Sequence, residues 1–175
     1  MIAVLEQTEV SDYLKLLEEM TLSEENQEYH FSPDWIRARG WKVVPVEDGD
    51  HFTPGEIATL VPALQQGGYT ECVALATEPL SPYPACYRLS ISEEDFCNFN
   101  SECGPFRYLL TDQARTWAIS CNEIYNLFAA KPELLEDILG RSIEDARRAF
   151  MDFIDPPSMD PNGVLHAAAG QYASL

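Results

Sequence analysis

Apolar side chains recur at Val10, Tyr13, Leu14, Leu16, Leu17 and Met20. This three- and four-residue spacing predicts an amphipathic helix over 10–22, with Asp12, Glu18 and Glu19 against only Lys15 on its polar side. Residues 23–28 form a polar, acidic connection. A second, short helix opens at Ser32-Pro33-Asp34, where the serine caps and the proline takes the first helical position, and Gly40 ends it. The period then shortens. Residues 41–46 read as a strand in which Pro45 marks an edge, because proline has no N–H for a ladder. Thr53-Pro54-Gly55-Glu56 starts a third helix with a capping box; it runs past Pro62 to about Gln66 and stops at Gly67-Gly68. Short apolar runs at 71–77 and 86–91 read as strands. Residues 107–111 and 116–120 form a hairpin around Asp112-Gln113-Ala114-Arg115. A helical turn over 93–101 lies between the pairs, apolar at Phe96, Cys97 and Phe99. Three further helices are expected over 122–130, 132–139 and 142–154, the last with Ile143, Ala146, Phe150 and Phe153 on one face and Arg147 and Arg148 outside.

Helices gathered toward the two ends of the sequence, with hairpin-linked strands between, predict an α+β fold. The expected architecture is an antiparallel sheet of four to five strands with helices packed on one face, as a single domain over 1–154. Asp155-Pro156-Pro157 ends regular structure, and 155–175 is expected as a flexible or partner-packing tail.

At 46% apolar and 11% aromatic residues the chain has the material for a core, which excludes wholesale disorder. No apolar run approaches the ~20 residues needed to cross a bilayer. The N-terminus has no basic region and meets Glu6 before any signal-like stretch could form, so a cytoplasmic location without membrane partners is expected. Five cysteines, an odd number with no CxxC pair, fit free thiols in a reducing compartment.

Catalytic signatures are missing from the sequence: it contains no GxSxG, HExxH, GxxxxGK[ST] or GxGxxG. Glu47-Asp48-Gly49-Asp50-His51 offers oxygen and nitrogen ligands on a turn, but Phe52 stands where a calcium loop needs another ligand. The segment is therefore read as a solvated lead into the Thr53 cap, and no metal or cofactor is assigned. Cys121 precedes the helix expected at 122, and a helix N-terminus lowers a thiol pKa. Cys121 or His51, in a site assembled from distant residues, is accordingly the enzymatic alternative. Cys97 lies beside Glu94 and Asp95, whose charges oppose a thiolate. No catalytic residue is assigned.

Charge alters the picture most. Twenty-nine acidic against eleven basic residues give −18, and residues 1–60 carry −9 of it. This balance excludes an ordinary nucleic-acid-binding domain. It favours fast encounter with a basic protein, with solubility as the competing use of the same charge. Tyr29, Phe31, Trp35 and Trp41 lie close in sequence to Glu24, Glu25, Glu28 and Asp34. Aromatic anchors rimmed by charge are where binding energy concentrates. Glu24, Glu25, Glu28, Asp34 and Trp35, followed by Asp48 and Asp50, are thus the expected partner-binding residues. In size and composition the chain resembles bacterial immunity proteins, which block a cognate toxin. That likeness implies a non-enzymatic inhibitor of a basic toxin or nuclease. A homo-oligomeric structural module, with residues 164–175 crossing to a neighbour, is the third alternative.

Overall fold

The computed structural model describes residues 2–23, 29–47, 52–77, 84–102, 107–122, 124–156 and 159–175. After the two-residue strand β1 (Ala3–Val4), Glu6 and Glu9 close a capping box that starts α1 (Gln7–Met20). The strands β2 (Thr21–Ser23) and β3 (Tyr29–Phe31) pair antiparallel as a small sheet of their own. Ser32 caps α2 (Pro33–Arg39), and Gly40 ends it in the left-handed conformation at φ +63°. Next come β4 (Lys42–Glu47), then α3 (Pro54–Gln66), whose capping box joins Thr53 and Glu56. The pair β5 (Glu71–Ala76) and β6 (Cys86–Ser90) is followed by α4 (Glu93–Glu102). Then β7 (Tyr108–Thr111), β8 (Trp117–Cys121) and β9 (Tyr125–Ala130) run in succession. The chain closes with α5 (Pro132–Leu139), α6 (Ile143–Ile154) and α7 (Val164–Tyr172).

The α+β class holds: among the described residues, seven strands make one antiparallel sheet in the order β1-β6-β5-β7-β8-β9-β4. This exceeds the four to five strands expected. One difference is β1, too short for periodicity to reveal. Another is β9, which the sequence reading made a helix over 122–130. All six of its residues are buried, and it pairs with β8 on one side and β4 on the other. Two-sided pairing, not local propensity, makes this segment a strand.

Helices cover both faces of the sheet, not one. On one face α3, α4 and α5 enclose Phe52, Phe96, Phe99, Tyr108 and Phe128. On the other, α1, α2, α6 and α7 pack over Val43, Val73, Leu75, Leu109 and Leu127. Side chains alternate strictly between the two cores along each strand, as a pleat requires. A sheet buried twice reads as continuous apolar runs, and Tyr108-Leu109-Leu110 and Trp117-Ala118-Ile119 are such runs.

The segment expected as a tail is folded in part. Asp160 accepts the N–H groups of Leu165 and His166 at 3.1 and 2.8 Å and so starts α7. Leu165, Ala168, Tyr172 and Leu175 are buried in this chain's own core. Arg147, expected outside, holds the end of α7 in place. Its guanidinium donates to the carbonyls of Val43, Tyr172 and Ala173 at 3.1, 2.9 and 3.3 Å. Burial lowers its pKa, though an arginine keeps its proton.

Candidate functional site

The buried stripe of α1, made of Val10, Leu16, Leu17 and Met20, turns the opposite side of the helix to solvent. Asp12, Leu14, Lys15, Glu18 and Glu19 are exposed there. Two carboxylates on the flanks reach back to sheet-side arginines: Glu9 to Arg88 at 2.8 Å and Glu19 to Arg115 at 3.6 Å. The outward residues include Leu14, 37% exposed, and the chain then enters β2, where Leu22 is 43% exposed. Leu14 is thus an open apolar side chain on a helix whose apolar stripe is already buried.

Glu24, Glu25 and Glu28 connect β2 to β3 and lie outside the described residues, as do Asp48, Asp50 and His51. The strands flanking the Glu24–Glu28 connection are well held. His30 of β3 is buried, with its Nε2 on the Tyr125 hydroxyl and its Nδ1 2.8 Å from Gln171 Oε1. The Tyr172 hydroxyl donates to the Phe31 carbonyl at 3.0 Å. Strand β9 and helix α7 therefore brace the small sheet from behind. Sequence reasoning missed this bracing because Gln171 lies 141 residues from His30.

Asp34 and Trp35 occupy the first turn of α2. Asp34 is exposed and accepts the Arg37 guanidinium at 2.8 Å, which neutralises it locally. Trp35 is half-buried, edge-on to Trp41 with ring centroids 4.9 Å apart, and the Arg39 guanidinium lies 3.6 Å from its ring centroid. The structure thus joins Trp35 to the Arg39 cation and Asp34 to Arg37.

Cys121 ends strand β8 instead of preceding a helix, and burial pushes its thiol far above the ordinary range, against a weaker opposing hydrogen bond from Tyr108. Burial does the same to Cys72, and the Cys86 thiol is pushed up to about 12. None of the three is set up as a nucleophile. Cys97, expected on the apolar side of its helix, is exposed on α4. Among the described residues no group of three or more His, Cys, Asp or Glu side chains is placed to hold a metal ion.

No protein family, curated protein or solved structure matches the chain. No helix among the described residues is long and apolar enough to cross a membrane. Exposed carboxylates also stand on α4, α5 and α6, on both sides of the sheet. On α1 exposed carboxylates stand with exposed Leu14, and the exposed Leu22 of β2 follows in sequence.

Proposed function

We propose that this chain is a non-enzymatic acidic binding protein that neutralises or regulates a basic protein partner in the cytoplasm. In this reading it behaves as an immunity-protein-like inhibitor of a bacterial toxin or nuclease. The observation that carries the reading is the exposure of Leu14 and Leu22 on α1 and β2, where Asp12 and Glu18 are also exposed, with the acidic residues 24–28 next in sequence. Leucines supply apolar contact area, while the carboxylates steer a cationic surface onto it and set its orientation. A partner docked there would have its basic cleft covered and its own substrate excluded.

The test uses the full chain as bait in extract from its native cell at low salt, beside a variant carrying Glu18→Lys, Glu24→Lys, Glu25→Lys and Glu28→Lys. A specific partner with a basic isoelectric point should be held by the wild type and lost by the variant. Its association rate should fall steeply with ionic strength, because charges separated by more than ~8–10 Å are screened near physiological salt. A partner held equally by the charge-reversed variant, or an association rate indifferent to salt, would reject the reading.

A further inference from the structure

The chain has eleven basic residues against twenty-nine acidic ones, yet Arg39, Arg115 and Lys131 line one open cleft of about 440 Å³ walled by Trp41, Tyr69 and Leu134. Three separate parts of the fold deliver these cations. Arg39 ends α2, and its stacking on Trp35 fixes the guanidinium beside the cleft. Lys131 follows the last residue of β9 and takes the N-cap position of α5, where no side chain caps the first turn. Arg115 lies on the turn between β7 and β8.

Arg115 is the most informative of the three. Its φ is +58°, the one non-glycine residue with positive φ among the described residues. Asp112 enforces this turn: its carboxylate accepts the N–H groups of Ala114 and Thr116 at 3.1 and 2.7 Å, and its carbonyl accepts that of Arg115 at 3.1 Å. Glycine or asparagine fits such a position with less strain. A residue held in this region against its preference points to work done by the side chain. Here the side chain reaches the cleft. Thr116, next in sequence, donates its hydroxyl to the Tyr69 phenol at 2.8 Å and so fixes the aromatic wall.

Electrostatics adds a second reason. Burial, and then the nearby Arg115 charge, lower the pKa of Arg39 against an opposing pull from Glu19, so two like charges stand close together. The compensating carboxylates are few: Glu133 lines the cleft, and Glu19 meets Arg115 at 3.6 Å. Neither Arg39 nor Lys131 forms an ion pair among the described residues. A bound dianion would relieve the repulsion.

We infer that this cleft binds a small organic phosphate monoester. Its dianionic head would sit on Arg39, Arg115 and Lys131, and a flat apolar body would lie against Trp41, Tyr69 and Leu134. Guanidinium forks match phosphate oxygens two at a time, and a head carrying two charges uses three cations better than a single carboxylate does. The cleft volume lies in the range typical of small-ligand sites. Glu19 touches Arg115 from α1, but Asp12, Leu14, Glu18 and Leu22 line no part of the cleft, so either reading can fail without the other.

Phenyl phosphate is the probe, compared with inorganic phosphate and phenol on the full chain, by calorimetry and by the fluorescence of Trp35 and Trp41. Phenyl phosphate should bind saturably with a Kd below about 1 mM, tighter than either fragment and weaker at high salt. Lys131→Gln and Arg115→Gly should each weaken binding about tenfold or more. Arg115→Gly should do so with an unfolding temperature unchanged or higher, because glycine removes the left-handed strain. That separates loss of a ligand contact from loss of fold. Absence of saturable binding by phenyl phosphate, or equal affinity in wild type and both variants, would overturn the proposal.

Discussion

His30 shows how one side chain can tie distant parts of a fold together. Both ring nitrogens are used inside the core, one on the Tyr125 hydroxyl and one on Gln171 Oε1. With the proton on Nδ1, that nitrogen donates to Gln171 and Nε2 accepts the tyrosine proton. Replacing His30 by leucine keeps an apolar body in place but removes both bonds, leaving buried polar atoms to find other partners. His30→Leu should cost about 1–3 kcal/mol in urea unfolding, the penalty of deserting buried hydrogen-bonding groups. Nothing in the sequence marked this histidine. Its partners are 95 and 141 positions away, and no local spacing encodes such contacts. Asp34 and Trp35 were legible as surface features of α2, but their pairing with Arg37 and Arg39 depends on side-chain direction, which composition does not carry. Cys121 resembles a helix-start thiol only in its local sequence, because the segment that follows becomes a strand through pairing with β8 and β4.

Elements whose ends carry their own chemistry were read well from sequence. Thr53 with Glu56 and Ser142 with Asp145 fix helix starts through contacts three residues apart, and both starts stand where local rules put them. Strand β9 and helix α7 depend on contacts far along the chain, and both were missed. Helix α7 also carries a pH dependence. Burial works to raise the Asp160 carboxyl, but hydrogen bonds from the His166 amide and ring and the Leu165 amide overcome it, so the group ionises below its ordinary value. A carboxyl depressed in the folded state contributes stability above its unfolded pKa of about 3.9, and that contribution is lost as pH falls through the folded value. Acidification should therefore loosen α7 ahead of the sheet. Amide exchange at Leu165–Ala168 should accelerate below about pH 4 relative to β8. Asp160→Asn should flatten that acid step, and an unaltered acid profile in the variant would place the sensitivity elsewhere.

At the scale of the whole molecule, one sheet is shielded by helices on both sides and wrapped in a strongly negative surface. The class of fold was legible because hairpin-linked strands lie between helices gathered toward the two ends of the chain. The second layer was not, since burial on both faces erases the polar alternation from which a one-sided sheet is recognised. The charge has a consequence for the fold as well as for its partners. Exposed carboxylates on α1, α4, α5 and α6 surround both cores, and mutual repulsion across a chain of net charge −18 opposes compactness. Added salt should therefore raise the unfolding temperature. The expected rise is a few degrees between about 0.02 and 0.5 M sodium chloride, as the Debye length contracts to several ångströms. An unfolding temperature that falls over this range would mean that the ion pairs of Arg88 and Arg115 outweigh the repulsion.

The two borders of the main sheet close off one mode of recognition altogether. On one side β1 is two residues long, too short a template for an incoming chain. On the other, Pro45 withholds an amide from the outer rim of β4, and Arg147 already occupies the Val43 carbonyl. Among the described residues, an extended peptide, or a misfolded copy seeking to stack into a fibril, meets no long open ladder at either border of this sheet. Recognition at the main sheet is left to side chains.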